Sequence, residues 1–194
     1  MVPKLPPAIE QSIGNLFTQN YATVKKTTAG TRLQELLGDL LEKHPDGEIN
    51  YQVHLVPDPN VNAMALPGGN IIVFTGLISK VESENELAFV LAHELGHFAN
   101  GDHLRGLGRM LVLLTISTAI SGSDNFVNEF LMNSLLNVEM KFSQKQEKMA
   151  DLFALDLLNK KYGQVAGATD FFEILGDKDP KSRLLYYFAT HPHP

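Results

Sequence analysis

Apolar residues recur at three- and four-residue spacings through much of this chain, and at alternate positions in its middle. Ile9, Ile13, Leu16, Phe17, Tyr21 and Val24 share one side of a helix predicted from about Ala8 to Lys26. Leu33, Leu36, Leu37, Leu40 and Leu41 predict a second helix, with Thr31 and Gln34 as its capping pair and Pro45 and Gly47 ending it. The rhythm then changes: Ile49, Tyr51, Val53 and Leu55 alternate, as in a half-buried strand that Pro57-Asp58-Pro59-Asn60 breaks. His54 falls on the other face of that strand and reads as an exposed or satisfied histidine. Asn62–Leu66 and Asn70–Thr75 predict further strands, separated by Gly68-Gly69.

Helical spacing returns after Ser83. Ser83 and Glu86 form a capping box, in which hydroxyl and carboxylate satisfy free amides at a helix start, and Leu87, Val90, Leu91, Leu95 and Phe98 follow as a core-facing stripe. Ser143 and Gln146 repeat the device before Ala150, Phe153, Ala154, Leu157 and Leu158. Between these helices, Phe126, Val127, Phe130, Leu131, Leu135 and Leu136 predict a short apolar helix within Gly122–Met140, either plain core or a lid over a cleft. A closing helix is expected over Ser182–Ala189, delivering Thr190-His191-Pro192 into a loop. The pattern describes a mainly helical α+β domain with a small, mostly antiparallel sheet, one domain over residues 1–194.

Composition narrows the chemistry. A hydrophobic fraction of 44% with 20% charged residues suits one globular core. A net charge of −6 argues against non-specific nucleic-acid binding. The absence of cysteine removes disulfides and thiolate metal ligands, leaving histidine and carboxylate. Met110–Ile120, the longest apolar run, falls short of the roughly 18–20 residues of a membrane span, so no span is expected. Val2-Pro3-Lys4-Leu5-Pro6-Pro7 does not read as a signal peptide, and both ends are expected to be cut.

The stripe after Ser83 is interrupted by His93-Glu94-Leu95-Gly96-His97. Imidazoles four residues apart on a helix differ by about 40° around its axis, so His93 and His97 point the same way, one turn apart. Together they can hold one metal ion. Glu94 shares that face, placed to meet water at the metal rather than the metal itself. This is the His-Glu-x-x-His pattern of zinc hydrolases. Buried and unpaired, three such polar groups would be costly; a metal resolves that cost, and a satisfied core histidine pair is the plainer alternative.

Two residues compete to be the third ligand. His103 completes a His-Glu-x-x-His-x-x-Asn-x-x-His spacing with Asn100 where glycine is usual, but Met132, Met140 and Met149 supply no convincing Met-turn. Glu147 lies in Glu147-Lys148-Met149-Ala150-Asp151, on one helix face with Asp151 and beside small Ala150, which lets another helix approach. One carboxylate can bind metal while the other accepts the free N–H of a ligand histidine. A solvated charged face is the alternative, given Lys145, Lys148, Lys160 and Lys161 nearby. Following His-Glu-x-x-His, the carboxylate pair favours Glu147. His191 is a candidate donor to the oxyanion of a tetrahedral intermediate, a candidate occupant of the open metal position, or a terminal histidine beside His193.

Asn62-Ala63-Met64-Ala65-Leu66-Pro67-Gly68-Gly69, His93–His97, Glu147–Asp151 and Thr190-His191-Pro192 occur in an order that resembles one family. It is that of the gluzincin-type zinc metallopeptidases, including HtpX and the CAAX prenyl endopeptidases, and the chain resembles the soluble envelope proteases of the BepA and LoiP kind within it. The resemblance implies a zincin-like fold, one Zn²⁺ per chain on His93, His97 and Glu147, Glu94 as general base and Asp151 as partner of a ligand histidine. It also implies polypeptide substrates, misfolded or envelope proteins among them, and a place in the cell envelope or periplasm. Zincins lay substrate along a strand edge beside the active helix, and Asn62–Leu66 is the expected edge, with a strand covered by another element as the alternative. Gln144 departs from the arginine that relatives often carry after the serine, which puts a salt bridge there in doubt. The rival function is a metal-stabilised scaffold that binds unfolded polypeptide without cutting it; only the enzyme needs Glu94 and an open metal position.

Overall fold

The computed structural model describes residues 7–19, 27–43, 49–105, 108, 142–168, 170 and 191. The Gly122–Met140 and Ser182–Ala189 segments, the Met110–Ile120 run, and Thr190 and Pro192 lie outside the described residues. The described elements are α1 (Pro7–Gln19), α2 (Thr28–Leu41), β1 (Gln52–Val56), β2 (Ala63–Leu66), β3 (Asn70–Phe74), α3 (Thr75–Ile78), α4 (Glu84–Asn100) and α5 (Gln144–Tyr162). The part of the first expected helix beyond Gln19 is likewise not described.

The leucine stripe of α2 buries Leu33, Leu36, Leu37 and Leu40 against the core, each contributing about 1.5–3 kcal/mol. Its cap differs from the expected pair. Thr27, not Thr31, accepts the Gly30 amide at 3.1 Å, while Thr31 lies inside the helix and donates to the Thr27 carbonyl. Gln34 is engaged elsewhere: its amide donates to the Tyr51 carbonyl and accepts the Val53 amide at 2.9 Å, satisfying an edge of β1 as a neighbouring strand would.

The strands pair in the order β1-β3-β2, with β1 parallel and β2 antiparallel to β3. The α+β class stands, with a mixed sheet, because β1 pairs past its sequence neighbour. Both faces of the sheet are covered. Ile71 and Val73 join Leu55, Ala63 and Ala65 in the main core with α2, α4 and α5, whereas Ile72 and Phe74 pack with Val56, Met64, Leu66 and Phe142. No further strand pairs with the outer edge of β2 among the described residues, and its own residues are buried. His54 is satisfied by the Asn70 side chain at 2.8 Å.

Helix α4 is buried all round from Ala88 to Phe98, its apolar side chains in the core and His93, Glu94 and His97 buried with them. Ser83 caps it by accepting the Glu86 amide, and the Glu86 carboxylate reaches back to the Glu82 amide at 2.9 Å. Helix α5 carries the full Ser143–Gln146 capping box and buries Ala150, Ala154, Leu157 and Leu158. The two helices cross at Gly96 and Ala150. A Cβ on Gly96 would lie 2.8 Å from the Ala150 Cα, so the small residues are what allow the approach. No helix among the described residues is long and apolar enough to cross a membrane.

Candidate metal centre

The crossing of α4 and α5 brings the sequence candidates together. One ligand-type atom from each of His93, His97, Glu147 and His191 lies within 4.8 Å of the others, and all these residues are buried. The Nε2 atoms of His93 and His97 are 3.1 Å apart. Glu147 Oε2 is 3.3 Å from His93 Nε2, and its Oε1 is 3.6 Å from His97 Nε2. His191 Nδ1 stands 3.3 Å from His93 Nε2 and 3.2 Å from Glu147 Oε2.

Each helical histidine is held from behind by a carboxylate. His93 Nδ1 meets Asp151 Oδ1 at 2.9 Å, from one turn beyond Glu147 on α5. His97 Nδ1 meets Asp102 Oδ2 at 3.1 Å. Asp102 is fully buried, and its other oxygen accepts Arg105 Nη1 and Gln146 Nε2, each at 2.7 Å. Because carboxylates accept, each Nδ1 donates to the carboxylate behind it, and both Nε2 atoms face the same point. Nitrogens converging beside a carboxylate in a buried space suit a cation.

The electrostatics favour one. Glu94, Glu147, Asp102 and Asp151 surround the imidazoles. Burial pulls His93 down, but its bonds to Asp151 and Glu147 and the charges of Glu94 and Glu147 more than reverse this, pushing it up to about 10. Burial likewise raises Glu147, yet hydrogen bonds with His191 and His93 hold it down at about 2. His97 moves the other way, lowered by burial and by the charge of His93 despite Asp102. Glu147 Oε1 has no hydrogen bond among the described residues. Two imidazole nitrogens, a carboxylate with a spare oxygen and no thiolate form a donor set that suits zinc.

Glu94 is fully buried beside this group, and neither of its oxygens has a hydrogen-bond partner among the described residues. His191 Nε2 is 3.7 Å from Glu94 Oε1.

His103 is elsewhere. Its Nε2 meets Glu10 Oε1 of α1 at 3.1 Å and its ring packs on Phe98, so the rival metal spacing brings it to no shared point with His93 and His97. The helix ends at Gly101, one residue after Asn100, with φ of 67° in the left-handed region that favours glycine. That reversal is what returns Asp102 to His97.

Sequence reasoning missed Asp102, Gln146 as a partner of the site, and Phe142. Phe142 stacks on the His97 ring at 3.8 Å between centroids and links the site to the second face of the sheet. Gly101-Asp102 offered a signal for the first: a helix-ending glycine followed directly by a carboxylate, within reach of the last turn.

A buried group of three histidines and a glutamate that could hold a metal ion, with a further carboxylate beside it, is compatible with a metallopeptidase, and comparison with known proteins points to that class. Residues 25–194 match the model of peptidase family M48, and the chain belongs to that family. It is 29% identical over 187 residues to the metalloprotease YcaL of Escherichia coli, covering 94% of this chain and 72% of YcaL. Over 167 residues it is 32% identical to the metalloprotease LoiP of the same organism, covering 84% of this chain and 64% of LoiP. A mitochondrial metalloendopeptidase of Arabidopsis thaliana, OMA1, is 34% identical over 151 residues, which is 77% of this chain but 30% of that protein. The chain is thus a metalloendopeptidase domain that recurs within longer relatives.

Proposed function

We propose that this domain is a zinc-dependent endopeptidase in which His93, His97 and Glu147 hold the metal and Glu94 is the general base. The observation that carries the reading is Glu94: a buried carboxylate with no hydrogen-bond partner among the described residues, beside ligand-type atoms converging on one point. Leaving such a group unpaired costs about 1–3 kcal/mol or more in a merely structural site, so its place argues for a partner that arrives with substrate. Zinc, when bound, supplies a Lewis acid that polarises a carbonyl and makes water a better nucleophile at neutral pH. Glu94 accepts the water proton and passes it to the leaving amine. Asp151 and Asp102 keep the Nδ1 protons on His93 and His97, so that both Nε2 lone pairs face the metal.

His191 supports a resting state. Its Nδ1 stands among the ligand atoms, where it would close the fourth position, while its Nε2 faces Glu94, where an oxyanion donor would stand once the ring swings clear. The edge of β2 that no strand pairs with among the described residues, against α4, is the proposed track for an extended polypeptide. Substrates of the cell envelope, misfolded proteins among them, follow from the kind of protease the sequence resembles. The buried Glu94, with no hydrogen-bond partner among the described residues, favours catalysis over a scaffold that binds polypeptide without cutting it.

The test is metal content with casein hydrolysis. The purified chain should carry about one zinc, as a hydrolytic site of this donor set implies. Glu94→Gln should keep the metal and lose about 10²–10⁴-fold in turnover, the usual worth of a general base. Unchanged turnover in Glu94→Gln would overturn the mechanism. His191→Ala should raise the affinity for a zinc-binding hydroxamate; equal affinity in both proteins removes the resting latch.

A further inference from the structure

We propose that Asp102 and Gln146 form a positioning pair for His97, through which a side chain at the start of α5 sets the strength of the metal site. The inference rests on the reading of His93, His97 and Glu147 as ligands. It starts from the two ends of one amide. Gln146 Oε1 accepts the Ser143 amide at 3.0 Å and the Ser143 hydroxyl at 2.9 Å, closing the capping box. Gln146 Nε2 donates to Asp102 Oδ1 at 2.7 Å, and Asp102 Oδ2 holds His97 Nδ1. A glutamate would cap the helix as well, but only an amide caps with one atom and donates with the other.

The consequence is a clamp on a single imidazole. Glu147 faces His97 Nε2 directly, and Gln146, its neighbour on α5, reaches Nδ1 through Asp102. Consecutive residues of one helix therefore control opposite nitrogens of a histidine on another. Any slip of the first turn of α5 moves both contacts together. Arg105 also binds Asp102, but from one turn along the same segment, so it steadies the carboxylate without registering α4 against α5. Gln146 touches no ligand and acts only through Asp102.

Zinc affinity by competition with a chromophoric chelator tests this, with the thermal midpoint of the chelator-stripped chain beside it. Gln146→Glu keeps the cap oxygen and turns the donor into a carboxylate oxygen facing Asp102. It should weaken zinc binding about 10–100-fold, the usual cost of losing the partner of a ligand histidine. Added negative charge near a cation site would strengthen binding if charge alone governed it, so the predicted sign is specific to the clamp. Asp102→Asn should weaken binding by a similar factor, because one oxygen can serve His97 or the donors but not both. Ser143→Ala removes a cap partner and should lower the midpoint with little change in affinity. Wild-type affinity in Gln146→Glu, or an equal loss in Ser143→Ala, would overturn the clamp. A wild-type chain that binds no more zinc than His97→Ala would instead overturn the ligand assignment, and the clamp with it.

Discussion

His93 and His97 lie one turn apart on the same helix, yet they are held by unlike means. The carboxylate behind His93 is Asp151, which comes across from α5 and keeps 33% of its side chain exposed. The carboxylate behind His97 is Asp102, which comes from just beyond the end of α4 and is 0% exposed. The first tie joins two helices through a residue that water can partly replace. The second is local and sealed, and its far oxygen is already committed to Arg105 and Gln146. A candidate metal centre built this way has one adjustable wall and one rigid one.

The largest effect should come from the feature that both walls share. Gly96 separates the histidines in sequence and marks where α4 meets α5, with the Ala150 backbone 2.8 Å from any added Cβ. Gly96→Ala should cost about 1–3 kcal/mol by overpacking, and Gly96→Val more, read from urea denaturation of the metal-free chain. Zinc affinity should fall with it, since Glu147 and Asp151 move away together. A Gly96→Val chain of wild-type stability would mean that the helices are not locked at this point.

Next come the two carboxylates compared directly. Asp102→Ala leaves the buried His97 Nδ1 without its partner and should destabilise the metal-free chain by about 1–3 kcal/mol. Asp151→Ala should cost less, because solvent reaches that site and can hydrogen-bond His93 in its place. Equal losses, or a greater loss at Asp151, would break the distinction between the sealed wall and the open one.

What could be read in advance follows the same division. Helical periodicity and capping boxes marked α4 and α5, and the four-residue spacing from Glu147 to Asp151 put both carboxylates on one face, so the cross-helix tie was legible. Asp102 was not, because its return depends on a left-handed Gly101 rather than on any helical spacing. Thr31 and Gln34 have the form of a capping pair, but the side chain of Gln34 pairs with the edge of β1, which no local pattern specifies. The pairing of β1 with β3 is equally non-local: alternation shows that a strand has a buried face but not which strand lies beside it. Phe142 precedes the α5 cap without periodicity and becomes part of the site by stacking on His97 and lying against His191.

His103 sharpens the comparison at its weakest point, and should show the smallest effect. It too has a carboxylate, Glu10, whose Oε1 also accepts the Gly68 amide at 3.2 Å and so ties α1 to the β2–β3 turn. Unlike His93 and His97, it belongs to no group of three or more converging ligand-type atoms among the described residues, so a carboxylate behind a histidine does not by itself make a metal site. Glu10→Gln should therefore leave zinc affinity unchanged. Its effect should appear in stability and depend on pH. The hydrogen bond with His103 is the largest influence on Glu10; with the Gly68 amide and the His103 charge it outweighs burial and holds the carboxyl below its ordinary 4.5. A depressed folded-state pKa contributes stability above the unfolded value and loses it as pH falls through the folded one. The gap between wild type and Glu10→Gln in urea midpoint should thus be open at neutral pH and close as pH drops below 4.5. A gap that persists at pH values below the folded pKa, or a loss of zinc in the variant, would show that Glu10 acts on the metal centre rather than beside it.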